Sequence, residues 1–167
     1  MTLPFGSASD RYFFSLQHFR YFARELSIEE QKSRGFQELG PHRVATMLLG
    51  HLEPGSKVAM TTRFEDDPLV QEYITAIEKQ KLQIRLIVNQ TGVQDFCFLL
   101  RAKQELIGVA KSTYARWAAY LGTAERVQLY ALDNPGSKEF IQQTMKYPWK
   151  NSELKRRIQW PVFPAEE

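Results

Sequence analysis

The residues best placed to do chemistry are Lys111, Ser112 and Thr113, a cation and two hydroxyls in a row between the apolar run ELIGVA and the aromatic segment STYARWAAYLG. Those two segments read as a strand feeding a helix, and the corner between them can hold an anion. The first turn of a helix carries unpaired amides and a partial positive charge, so a phosphate is stabilised there without dedicated chemistry. Gly108 and Ala110 allow close approach, Ser112 can cap or donate, Thr113 adds a second hydroxyl, and Lys111 can add a full charge. The same residues equally describe a plain cap, because serine and threonine begin many helices that bind nothing. The G-x-G-x-x-G and G-x-x-x-x-G-K-[ST] fingerprints of dinucleotide and Walker sites are absent.

Other groups offer less. No pair of carboxylates has an obvious metal-ligand spacing, so no metal is expected. His18, His42 and His51 all precede the corner by a wide margin, and nothing in the sequence relates them to it. The single cysteine, Cys97, cannot form an internal disulfide, and in FCFLL it reads as a small buried thiol. Lys155, Arg156 and Arg157 read as a solvated basic face, since so few like charges do not hold a polyanion alone. Nucleic-acid binding through that tail, with Trp149 and Trp160 as stacking groups, is therefore the weakest of the functional readings.

The elements that must position the corner follow from periodicity and punctuation. DRYFFSLQHFRYFAREL places Tyr12, Leu16, Phe19, Ala23 and Leu26 at steps of four and three, a helical stripe with Asp10 as N-cap. Ser27 and Glu30 have capping-box spacing. PHRVATMLLGHL resumes as a short helix with proline in its first turn. After the EPGS turn, strands and helices alternate: KVAMTT, DDPLVQEYITAIEKQ, LQIRLIVN, GVQDFCFLLRAKQ, ELIGVA, STYARWAAYLG, RVQLYAL and SKEFIQQTMKY. Alternation of this kind predicts right-handed crossovers and an α/β, doubly wound, mostly parallel sheet of about four strands. The chain thus divides into a helical N-terminal segment (1–55), a core (56–146) and an extended tail (147–167) with a short helix in its middle. Trp117, in the helix after the corner, reads as a core residue.

Composition is that of one globular domain: 167 residues, 43% hydrophobic and 25% charged. The net charge of +3, from 22 basic and 19 acidic residues, is a small excess rather than a cationic surface. No apolar run reaches the roughly 18 residues of a membrane span, and MTLPFGSASDRYFF lacks the pattern of a signal peptide, so the chain reads as soluble with no visible targeting segment.

Taken together, QDFCFLLRAKQELIGVAKSTYARWAAYLG resembles the nucleotide-sugar-binding segment of the GT-B fucosyltransferase superfamily. There an acidic residue opens an apolar helix, a strand follows, and a serine-rich corner leads into an aromatic helix. KVAMTTRFEDDPLVQEYITAIEKQ is similar to the strand, T-D-D turn and helix that precede it in those families, so the likeness runs from Lys57 to Leu132. The resemblance implies the Rossmann-like half of a GT-B fold, glycosyl transfer with GDP leaving, and a GDP-sugar donor substrate with no separate cofactor or metal. It implies that Asp95 contacts the nucleoside, while Ser112 and Thr113, with Lys111 beside them, bind the diphosphate. A carboxylate can accept two hydrogen bonds from a guanine edge; Asp95 is equally a first-turn acid complementing the helix dipole.

The sequence departs from that family in lacking its basic H-x-R-R motif, since PHRV at Pro41 to Val44 lies in a helical context. Arg63, at the carboxyl end of a strand, can approach a diphosphate in its place, or can pair with Glu65 or Asp66 for little stability. A two-domain enzyme of this kind needs about twice this length. The expectation is therefore one half of an enzyme, a fragment or a degenerate relative, with the unknown acceptor bound by a second domain or partner chain. Eukaryotic members of the family work in the secretory pathway. The rival reading is a non-catalytic α/β module that binds a nucleotide or a protein, supported by the missing basic motif and the aromatic N-terminal segment.

Overall fold

A computed structural model describes residues 12–15, 39–62, 65–66, 68–88, 91–133, 135–146 and 152–164. Seven parallel strands form its centre: β1 (Tyr12–Ser15), β2 (Lys57–Thr61), β3 (Gln83–Ile87), β4 (Glu105–Val109), β5 (Arg126–Leu132), β6 (Ile158–Gln159) and β7 (Val162–Phe163). They lie in the order 3-2-1-4-5-6, with β7 alongside the carboxyl end of β5. The helices are α1 (Pro41–Arg43), continued by a π-helical turn (Val44–Leu48), then α2 (Pro68–Lys79), α3 (Gly92–Leu100), α4 (Thr113–Leu121), α5 (Pro135–Lys146) and α6 (Ser152–Arg157). This is the doubly wound, Rossmann-like α/β fold that the alternation of strands and helices calls for.

Strands β2, β4 and β5 are buried on both faces, and the two-residue period of the strand sorts their side chains between two cores. Val58 and Met60 of β2, Ile107 and Val109 of β4, and Tyr130 and Leu132 of β5 meet Leu39, the π turn and α2 on one face. Val70, Tyr73 and Ile77 of α2 supply that layer at helical spacing, and the Tyr73 hydroxyl donates to the Leu39 carbonyl at 2.6 Å. On the other face, Ala59, Leu106, Val127, Leu129 and Ala131 meet α3, α4 and α5. Here α4 buries only Ala115, Ala118 and Ala119, a stripe of small residues that lets the helix lie close to the sheet. At Gly108 the approach is so close that a β-carbon would sit 2.6 Å from Ala115 Cβ.

The N-terminal helix expected from Asp10 to Leu26 is not what the chain forms at its start. Tyr12–Ser15 is a strand, paired in parallel with β2 on one side and β4 on the other. Aromatic residues favour strands, and a short apolar run flanked by two strands gains hydrogen bonds on both edges, which overrides a stripe that also fits a helix. The rest of that expected helix and the Ser27–Glu30 capping box lie outside the described residues. The sheet also has more strands than the four expected, because β1 enters its middle and the tail adds β6 and β7 to one edge.

The described part of the tail runs through α6, β6 and β7, and it is pinned in place. Arg157 of α6 donates Nη1 to the Ala124 carbonyl at 2.8 Å and Nη2 to the Ala119 carbonyl at 3.0 Å, satisfying one acceptor in the last turn of α4 and one in the loop that follows it. Arg157 therefore leaves the solvated basic face, where Lys155 and Arg156 remain exposed. Trp160 packs part-buried against the α3–α4–α5 core rather than standing free to stack on a base, and Trp149 lies outside the described residues. No helix among the described residues is long and apolar enough to cross a membrane.

Candidate functional site

In an open parallel sheet, ligands gather beyond the carboxyl ends of the strands where the strand order reverses. Here the reversal falls between β1, whose connection runs to β2 on one side, and β4, which runs to β5 on the other. The carboxyl end of β4 leads directly into Ala110, Lys111 and Ser112, so the corner picked out by residue type borders the switch point. The opposite border, after Ser15, lies outside the described residues.

At the corner, the Ala110 amide extends the β4–β5 pairing by donating to the Tyr130 carbonyl at 2.8 Å, and the Ser112 amide then turns back to Val109 at 3.0 Å. Ser112 is the N-cap of α4: its Oγ accepts from the Ala115 amide at 3.1 Å, and the residue is 2% exposed. Its oxygen thus accepts one of the helix's orphan amides, a bond that uses a lone pair and not the O–H donor. Thr113 is exposed, and its Oγ1 accepts from Arg116 Nη2 at 3.4 Å, one turn along the helix. Lys111 is half-buried, with its ammonium 5.8 Å from the centre of the Phe140 ring on α5; burial lowers its pKa below the usual lysine range.

Asp95 lies in the first turn of α3 and is 2% exposed. The capping there is done by its neighbours: the Gln94 amide donates to Thr91 Oγ1 at 3.2 Å, and the Thr91 amide donates to Gln94 Oε1 at 2.9 Å. The start of α3 is tied to the start of α4 by Tyr114, whose hydroxyl donates to the Gly92 carbonyl at 2.6 Å and whose ring meets Phe96 edge-on at 5.3 Å. Asp95 is therefore on the helix beside the corner, flanked by two residues that touch α4. Arg63 lies outside the described residues. Close to where it would begin, Thr61 at the carboxyl end of β2 is wholly buried in register with Ser15, and its Oγ1 makes no hydrogen bond.

Two residues stand on faces other than the ones their types suggest. Cys97, expected to be buried, is exposed, because α3 turns Asp95, Phe98 and Leu99 inward and Cys97 falls off that stripe. Trp117, expected in the core, is 49% exposed, because α4 turns its alanines to the sheet. Its indole leans edge-on against Tyr120, with centroids 6.0 Å apart. Together they border an open groove of about 310 Å³ between α4 and α5, whose lining includes Thr113, Arg116, Trp117, Tyr120, Phe140 and Gln143. The Arg116 guanidinium lies 5.0 Å from the centre of the Phe140 ring, the same ring that Lys111 approaches. Burial raises the Tyr120 pKa, and the charge and hydrogen bond of Arg116 pull partly the other way. Arg116 was legible as a cation three residues beyond Thr113; Phe140, 24 residues further along the chain, carries no signal that would join it to the corner.

The opposite end of the sheet holds a second polar cluster. Glu105, 1% exposed at the start of β4, accepts from Gln128 Nε2 and lies 2.8 Å from His51 Nε2 and 3.5 Å from Arg126 Nε. It is at the amino ends of the strands, away from the corner, and ties β4 and β5 to the segment after the π turn. No cluster of three or more metal-ligating side chains occurs among the described residues. Comparison with protein-family models, with curated proteins and with solved structures found no match.

Proposed function

We propose that the chain is a glycosyltransferase-like domain that binds a GDP-sugar donor at the β4–α4 corner, one half of an enzyme whose acceptor is held by a second domain or chain. The observation that carries this reading is the sheet order, which sets Lys111, Ser112 and Thr113 beside the switch point of a doubly wound sheet. The first-turn amides of α4, the Thr113 hydroxyl and the Lys111 ammonium would hold the diphosphate, and Ser112 would fix the turn as its cap. Asp95 would contact the guanine edge from the neighbouring helix. Catalysis in such a site comes from stabilising the charge that develops on the leaving diphosphate.

Calorimetric titration with GDP, GDP-fucose and ADP, on the wild type and on Lys111→Ala/Thr113→Ala, tests it. Guanine-selective binding that is lost in the double variant supports the donor site. Failure of every nucleotide to bind sinks it and leaves the corner as a helix cap. That outcome would favour a non-catalytic interaction module, a reading supported by the exposed Trp117 and Leu121 on α4.

A further inference from the structure

The groove between α4 and α5 has a chemistry of its own. Arg116 enters it with its guanidinium over Phe140, one Nη against Thr113 Oγ1 and a contact to the Tyr120 hydroxyl, so ring and hydroxyls set its orientation. Among the described residues no carboxylate pairs with it. The acid nearest in sequence to the α5 wall, Glu139, accepts from Gln143 Nε2 at 3.0 Å. Lys111 brings a second cation to the same ring. A guanidinium held in plane without a counter-charge is arranged to take a planar or tetrahedral oxyanion through two parallel N–H donors. Beside it, Trp117 offers a half-exposed indole face, braced edge-on by Tyr120. The groove's volume, about 310 Å³, is at the small end of ligand sites, which run from about 300 to 1,000 Å³.

We propose that this groove binds a phosphomonoester carried on a ring, with the phosphate on Arg116 and the ring on Trp117. A nucleoside monophosphate and a sugar phosphate share that chemistry. The groove shares Thr113 and Lys111 with the proposed donor corner, but its ligand is taken by Arg116 and Trp117, which are not donor residues, and the probes below contain neither guanine nor a diphosphate.

The test is calorimetric titration with AMP, ribose 5-phosphate and ribose at moderate salt, on the wild type, Arg116→Gln and Trp117→Ala. Both substituted side chains reach solvent, and a urea midpoint for each variant verifies that it folds. Both phosphates bind the wild type and ribose does not, and Arg116→Gln weakens both by about tenfold or more, as expected when a charge-assisted contact is removed. Tighter binding of AMP than of ribose 5-phosphate, with about a tenfold loss for AMP alone in Trp117→Ala, identifies a nucleotide as the source. Equal affinities that Trp117→Ala weakens together identify a sugar phosphate. Absence of binding by either phosphate, affinities untouched by Arg116→Gln, or affinities untouched by Trp117→Ala overturn the proposal. Failure of the wild type to bind GDP or GDP-fucose, with AMP or ribose 5-phosphate still bound through Arg116 and Trp117, would remove the donor reading and leave the groove standing.

Discussion

Replacing Gly108 by alanine probes the contact that positions the corner. The added methyl would lie 2.6 Å from Ala115 Cβ and 3.6 Å from Leu129 Cδ2. Non-bonded carbons rest at about 3.5–4.0 Å, so α4 must lift from β4 by roughly 1 Å or the strand must bend. Overpacking of this kind costs about 1–3 kcal/mol, and the lower entropy of the unfolded alanine chain returns about 0.4–1 kcal/mol. The net expectation is a loss of about 1–2 kcal/mol, which for a chain of this size lowers Tm by roughly 2–8 °C. Urea denaturation followed by far-UV circular dichroism measures it. Ala115→Gly removes the opposing methyl at a helix-propensity cost of about 1 kcal/mol. The double variant should therefore be more stable than the sum of the single changes, with a coupling of about 1 kcal/mol. A neutral or stabilising Gly108→Ala, or purely additive behaviour, would refute the close packing of α4 on β4. Because α4 begins at Ser112, the same shift should also weaken any ligand held at its first turn.

Three other perturbations have definite outcomes. Ser112→Ala removes the α4 cap and should lower stability by about 1 kcal/mol in urea denaturation, with Ser112→Asp retaining most of it. Glu105→Ala leaves the buried Gln128 amide its long, 3.4 Å bond to the Leu48 carbonyl and removes the partner of His51 and Arg126, for a loss of about 1–3 kcal/mol that Glu105→Gln partly avoids, by the same measurement. Burial raises the Tyr120 pKa, so the folded state resists its ionisation; the stability this gives is complete below the unfolded pKa and is lost as pH rises through the folded one. In ultraviolet difference titrations against Tyr120→Phe, its phenol should ionise above the ordinary tyrosine range. Adding Arg116→Gln should move that midpoint higher still, because the guanidinium favours the phenolate.

Periodicity and punctuation alone were enough to specify the β2-to-α5 alternation, and with it a doubly wound parallel sheet, because strand and helix periods are local properties of the chain. The strand–corner–helix at Lys111 to Thr113 was legible for the same reason, as was the end of α4 at Gly122. What sequence could not determine is what depends on partners distant along the chain. Tyr12–Ser15 carries a helical stripe and becomes a strand because β2 and β4 offer hydrogen bonds on both sides. Cys97 and Trp117 look like core residues, yet which face of a helix turns inward is settled by its fit to the sheet, and in α4 the alanines fit closest. Ser112 caps α4, a role its type and place before the helix already offered. The strand order that borders the corner with the switch point, and the meeting of Arg116 with Phe140 across two helices, arise only when the crossovers are packed, since neither is a relation between neighbours in sequence.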